Sequence, residues 1–206
     1  MELNVADVKT WMQYANAAIQ EHKEYLTELD QAIGDGDHGI NMSRGFQEVM
    51  KKIEASEYGD LSALFKDVAM TLLSKVGGAS GPLYGTAFLK MSMALKEKEK
   101  LDHAALLSAL EEALNGIKQR GKAEKGDKTL VDVWEAVIDY MKTVQVIEPS
   151  GFETVVKEAM ESTRDVKARK GRAAYLGDRS VGHLDPGSVS SYYIFTGLVR
   201  LLQEGA

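Results

Sequence analysis

Apolar residues recur along this chain at helical spacing. Val8, Met12, Ala15, Ile19, His22, Leu26 and Leu29 alternate steps of four and three, marking one stripe of an amphipathic helix that begins near Asn4, with Asn4 and Asp7 placed as a capping pair. The same period returns in Met42-Phe46-Val49-Ile53, Leu61-Phe65-Val68-Leu72-Val76, Leu83-Met91-Leu95, Leu106-Leu110-Leu114-Ile117, Val133-Val137-Met141-Val144, Phe152-Val155-Ala159-Val166 and Tyr192-Phe195-Val199-Leu202. Eight helices are predicted. Alternating strand patterns are missing, and the three prolines, Pro82, Pro149 and Pro186, fall at helix boundaries or turns. The expected fold is all-α, an antiparallel up-and-down bundle, and 206 residues suit a single domain over 1–206.

The connections divide into two kinds. Asp60 and Asp102 stand just before apolar periods and read as N-caps, while 55–59, 97–101 and 145–151 read as solvated turns. Segments 30–39, 77–82, 121–129 and 170–188 are instead rich in Gly, Asp, Lys and Arg. Successive connections of an up-and-down bundle alternate between its ends, so these four, which join helices 1-2, 3-4, 5-6 and 7-8, all fall on one rim. Sites are usually built in loops held by a rigid scaffold. That rim is therefore the predicted site, and the opposite rim is expected to be structural.

Composition narrows the chemistry. Hydrophobic residues at 44% and charged residues at 27% are ordinary for a globular protein, and no stretch approaches the ~20 apolar residues of a membrane span. The start of the chain lacks the features of a signal peptide, so a cytoplasmic location and no membrane partner are expected. The absence of cysteine excludes disulfides, thiolate zinc sites and cysteine nucleophiles. A net charge of −6 argues against a nucleic-acid partner, the basic cluster at 164–179 being the local exception.

On the predicted rim, the first loop gathers Asp30, Asp35 and Asp37 within eight residues, with glycines freeing the backbone to converge them. Hard oxygen donors of this kind suit Mg²⁺ or Ca²⁺, and clustered carboxylates repel one another unless a cation intervenes. An EF-hand is excluded by register, because Ile40 and Phe46 stand where that loop needs Gly and Glu. The second loop, Val76-Gly77-Gly78-Ala79-Ser80-Gly81-Pro82, ends one helix with glycines and opens the next with Ser80 as its expected cap, leaving backbone N–H groups for an anion. It lacks the Gly-Lys-Ser/Thr of a Walker A loop. In the third, Asp127 or Thr129 caps the following helix. The fourth is roughly twenty residues, longer than compact domains usually leave irregular, and its arginines can neutralise a phosphoryl group. His38 and His183 also lie on the rim, with nucleotide binding, metal ligation and phosphate transfer all open to them.

Four motifs in this order, Gly34-Asp35-Gly36-Asp37-His38-Gly39-Ile40-Asn41-Met42, Val76 through Gly85, Gly121-Lys122-Ala123-Glu124-Lys125-Gly126-Asp127-Lys128-Thr129, and Ala168-Arg169-Lys170-Gly171-Arg172-Ala173 with Gly182-His183-Leu184-Asp185-Pro186-Gly187, resemble the dihydroxyacetone kinase L subunit family over nearly the whole chain. The resemblance implies a closed barrel of eight antiparallel helices with nucleotide at one rim. It implies that Asp30, Asp35 and Asp37 hold two Mg²⁺ ions on the phosphates of ADP or ATP. The nucleotide would be lined by His38, Gly39, Ile40, Asn41, Gly78, Ala79, Ser80, Gly121, Thr129, Leu130, Arg169, Leu184, Asp185 and Pro186. Arg169 and His38 would serve catalysis. Nothing precedes the first helix, so the triose site is expected on a partner: a K subunit carrying dihydroxyacetone, with an M subunit of the phosphoenolpyruvate phosphotransferase system supplying phosphate. The alternatives are a subunit of an ATP-dependent or fatty-acid-type kinase, and a nucleotide-loaded module that signals to a transcription regulator.

Overall fold

The structure, a computed structural model, describes residues 2–205. Among them nine α-helices follow one another: α1 (Val5–Glu21), α2 (Lys23–Ile33), α3 (His38–Glu54), α4 (Leu61–Lys75), α5 (Ser80–Ala94), α6 (His103–Gly121), α7 (Leu130–Thr143), α8 (Pro149–Ser162) and α9 (Pro186–Gln203). Two stretches of 3-10 helix, Thr163–Asp165 and Arg172–Ser180, lie between α8 and α9. The fold is all-α, as the periodicity requires.

The count is nine instead of eight because the expected first helix is broken. At His22 the backbone leaves the helical region, with φ −105° and ψ 18°. Its ring turns back so that Nδ1 lies 2.9 Å from the Ala18 carbonyl, while its face stacks on Tyr193 with ring centroids 4.5 Å apart. A side chain that competes for a ladder carbonyl bends a helix at that point. The apolar stripe runs straight through the bend, which is why spacing alone does not reveal it. The end of α8 differs as well: the helix stops at Ser162, short of Val166, where 3-10 turns begin.

Consecutive helices from α3 to α9 pack as neighbours, α3 also meets α1 and α2, and α9 lies against α1, α7 and α8. Between them sits one large apolar cluster whose fully buried members include Trp11, Phe46, Phe65, Phe88, Trp134 and Phe195. Each such ring contributes roughly 1.5–3 kcal/mol on burial, so this cluster holds the rims in place. Gly39 permits the close approach of α3 to α2, since a Cβ there would lie 2.1 Å from the Lys23 carbonyl oxygen.

One end of the molecule closes on itself. Strand β1 (Glu2–Leu3) pairs antiparallel with β2 (Leu101–Asp102), strands too short to leave an alternating pattern in the sequence. Lys9 reaches across to donate to the Ser56 carbonyl at 2.9 Å. Every helix that starts at this end has a side-chain cap: Asn4 in a capping box with Asp7, Asp60, Asp102 and Glu148. No helix of the described residues is long and apolar enough to cross a membrane.

Candidate functional site

At the other end, residues of all four Gly- and charge-rich connections line one open cleft. Helices α3, α5, α7 and α9 begin there with His38, Ser80, Leu130 and Pro186, so the positive ends of four helix dipoles converge. Two of these starts are closed by side chains. Thr129 caps α7 within a capping box completed by Asp132, and Asp185 caps α9 by accepting the Ser188 N–H at 2.6 Å. Burial pushes the Asp185 carboxyl up to about 7, against the opposing effect of its hydrogen bonds from Ser188. Neither α3 nor α5 is capped by the side chain at its own cap position. The expectation that Ser80 caps α5 fails: Ala79 occupies the cap position, and the Ser80 hydroxyl lies 3.0 Å from His38 Nδ1.

One wall of the cleft is acidic. Asp30, Asp35 and Asp37 each bring a carboxylate oxygen within 4.8 Å of the others. Asp30, at the buried end of α2, anchors the group: its Oδ2 accepts the N–H groups of Asp37 at 2.9 Å and His38 at 3.1 Å, fixing the turn and the first residue of α3 together. Gly34 is required beside it, because a Cβ at that position would sit 2.0 Å from Asp30 Oδ1. Three hard oxygen donors with no thiolate, beside a histidine whose nitrogens are engaged elsewhere, fit Mg²⁺ chemistry.

His38 is the buried hinge of the site. Its Nδ1 meets Ser80 Oγ, and its Nε2 lies 2.9 Å from Ser190 Oγ. The network continues from Ser190 to the Tyr84 hydroxyl at 2.7 Å, from Tyr84 to Ser191 at 2.8 Å, and ends where Trp134 Nε1 donates to Ser191 Oγ at 3.0 Å. Burial lowers the His38 pKa to about 4, although Asp30 and Asp37 pull it the other way. A neutral ring with both nitrogens engaged ties α3, α5 and α9 together at the edge of the cleft. The run Ser188-Val189-Ser190-Ser191 at the start of an otherwise apolar helix is the sequence signal that could have pointed to this network.

The facing wall comes from the long connection before α9. Lys170, Gly171, Arg172 and Ala173 line the cleft, and the Arg172 guanidinium lies 2.8 Å from Asp35 Oδ2. Ala168 and Ala173 pack with Ile33 in a small apolar cluster that seats this loop on α2. Of the residues expected around a nucleotide, His38, Gly78, Ala79, Ser80, Thr129, Leu130, Asp185 and Pro186 line the cleft, together with the three aspartates. Gly39, Ile40, Asn41, Gly121, Arg169 and Leu184 do not. Gly39 is buried against α2, Ile40 is half exposed on α3, and Asn41 backs the Gly77 turn while accepting from Arg44 at 2.9 Å. Gly121 ends α6 beside Leu83, and Leu184 is buried in the main apolar cluster. Arg169 is exposed, and its backbone N–H donates to the Asp127 carbonyl at 3.1 Å. The arginine on the cleft is Arg172, three residues on. Sequence reasoning also missed Lys128, whose buried ammonium is bonded to backbone carbonyls of the long connection.

The sequence matches the DAK2 domain over residues 32–200. It is 48% identical over 190 residues to the ADP-binding subunit DhaL of PEP-dependent dihydroxyacetone kinase 1 from Listeria innocua, covering 92% of this chain and 93% of that one. Against the ADP-binding subunit DhaL of the PTS-dependent dihydroxyacetone kinase of Lactococcus lactis, identity is also 48%, with 93% of this chain and 95% of the relative covered. The crystal structure of the C. freundii dihydroxyacetone kinase in complex with AMP-PNP and Mg²⁺ superposes with a TM-score of 0.78 at 21% identity, over 97% of this chain and 34% of that one. The chain thus spans about a third of that kinase, and the likeness concerns the fold. These matches establish that the chain belongs to the DAK2 domain family and, within it, to the DhaL subunits of the dihydroxyacetone kinases.

Proposed function

We propose that the cleft binds an adenine nucleotide, ADP or ATP, with Mg²⁺, and that this chain is the phosphoryl-transfer subunit of a dihydroxyacetone kinase. The observation that carries the reading is the pairing, on one cleft, of a three-carboxylate wall with the start of α5, which has no side-chain cap. Asp30, Asp35 and Asp37 hold the metal, two ions by family resemblance. When bound, Mg²⁺ neutralises phosphate charge and clamps phosphate oxygens. The chain supplies the rest: N–H groups at the start of α5, after Gly77 and Gly78, receive phosphate oxygens, and Lys170 and Arg172 offset negative charge from the opposite wall. Leu83 and Leu130 give the base an apolar seat. No group of this chain is required as a general base.

In this reading the chain works as one domain in the cytoplasm, and the nucleotide relays phosphate between partners. It receives phosphate from an M subunit of the phosphoenolpyruvate phosphotransferase system and passes it to dihydroxyacetone held on a K subunit. The names of the Listeria and Lactococcus relatives support a phosphoenolpyruvate-dependent system. The test is a coupled assay with partner subunits. Phosphate flow from phosphoenolpyruvate to dihydroxyacetone is expected with the unmodified chain and is expected to stop with Asp35→Ala; undiminished flow through the variant contradicts the proposal.

A further inference from the structure

Lys128 is only 1% exposed, yet no carboxylate pairs with it among the described residues. Its three ammonium donors meet three backbone carbonyls instead: Thr163 at 2.6 Å, Val166 at 3.0 Å and His183, with Arg164 further off at 3.4 Å. A buried charge is tolerated only when its hydrogen bonds are satisfied, and here all three donors are taken up. Burial lowers its pKa, while Asp185 and Asp165 oppose that shift. The residue also adopts φ +62°, a left-handed conformation that costs free energy for any residue with a Cβ and persists only where surrounding contacts enforce it.

The carbonyls it gathers are far apart in sequence but share one structural role. Thr163 and Val166 open the long connection and His183 closes it, so one side chain joins the two ends of the loop that carries Lys170 and Arg172. Neutral bonds also tie these ends: the Gly182 N–H donates to the Arg164 carbonyl at 2.8 Å and the Asp185 N–H to Thr163 Oγ1 at 3.1 Å, while the Ala168 N–H donates to Ser180 Oγ at 2.9 Å within the loop; Lys128 adds one charged group that donates to three carbonyls at once. A loop of roughly twenty residues without a long helix needs such a closure to hold one conformation.

We infer that Lys128 is a positioning residue, an internal cation whose ammonium closes the 163–185 loop and thereby sets Lys170 and Arg172 opposite the acidic wall. Its donors are spent on carbonyls, so it does not itself contact phosphate. The ligand-binding part of this inference rests on the nucleotide reading proposed above; the loop-ordering part stands without it.

Lys128→Met removes the charge at similar side-chain length. Helical circular dichroism and cooperative unfolding are expected to persist, while amides in 163–185 exchange with deuterium about tenfold faster and those of α4 to α6 are unaffected. The Kd for ADP with Mg²⁺ is expected to rise about tenfold. Lys128→Arg, which keeps a cation and offers five N–H donors, is expected to restore both. In the unmodified chain, an amine-acylating reagent should modify Lys128 about a hundredfold more slowly than Lys170, a measurement that decides the matter if Lys128→Met does not fold. The inference is overturned if exchange in 163–185 is unchanged in Lys128→Met, if the loop loosens with no change in Kd, if Lys128→Arg behaves like Lys128→Met, or if the two lysines acylate at equal rates. An unmodified chain that binds no ADP with Mg²⁺ sinks the nucleotide reading alone, and the exchange comparison still judges the loop.

Discussion

The two ends of this molecule solve the same problem in opposite ways. Each is a rim where four helices begin, and each helix start exposes backbone N–H groups that need acceptors. At the β1/β2 end all four starts are capped by their own side chains, Asn4, Asp60, Asp102 and Glu148. At the cleft only α7 and α9 are, and the residue that would cap α5, Ser80, faces the His38 ring. The first rim is complete in itself. The second leaves the start of α5 without a cap and gathers three carboxylates beside it, Asp35 paired with Arg172 and Asp30 accepting backbone N–H groups.

That contrast can be tested residue by residue. The largest effect is expected at the acidic wall: Asp37→Ala should weaken binding of ADP with Mg²⁺ by at least about a hundredfold in a calorimetric titration, with the helical fold kept. Next comes the buried ring. The unfolded chain protonates His38 near 6.5, whereas the folded state holds it neutral down to about 4. The folded state therefore loses stability as pH falls through that window, by up to about 3 kcal/mol, and the loss is absent above it. Denaturant titrations in EDTA at several pH values should show this share of the slope vanishing in His38→Gln. An unchanged slope would mean that the ring is not held neutral.

Smaller effects separate packing from ligand binding. Gly39→Ala places a Cβ against the Lys23 carbonyl and Thr27, and should cost about 1–3 kcal/mol of stability by overpacking. Asp102→Ala removes the α6 cap at the far rim. It should cost about 1 kcal/mol in thermal or chemical unfolding and leave nucleotide affinity unchanged. A marked loss of affinity from Asp102→Ala would erase the division between a structural and a functional rim.

Much of this division was legible in the sequence, because it depends on local rules. A short polar residue before an apolar period marks a cap, so Asn4, Asp60 and Asp102 could be read directly and Thr129 as one of two candidates with Asp127. The parity of connections then brought Asp37, Gly78, Thr129 and Asp185 to one cleft without knowledge of any distance. What stayed hidden depends on partners remote in sequence. The Ser80 hydroxyl turns from its own helix to a ring 42 residues away. Arg172 reaches the acidic wall, while Arg169 faces solvent, because the chain turns at Gly171 with φ 68°. A lysine in a charged turn ordinarily faces water, and only the fold of a loop some distance along the chain makes Lys128 an interior group. The bend at His22 escaped for the opposite reason, since the stripe it interrupts continues in register on both sides.

The central claim is that the carboxylate wall and the uncapped start of α5 form one receptor for a metal-chelated polyphosphate. A calorimetric titration of the chain with ADP, in Mg²⁺ and then in EDTA, tests it most directly. The account predicts binding at least about a hundredfold tighter in Mg²⁺, an advantage that disappears in Asp35→Ala. Equal affinity with and without the metal, or an undiminished advantage in that variant, would contradict it.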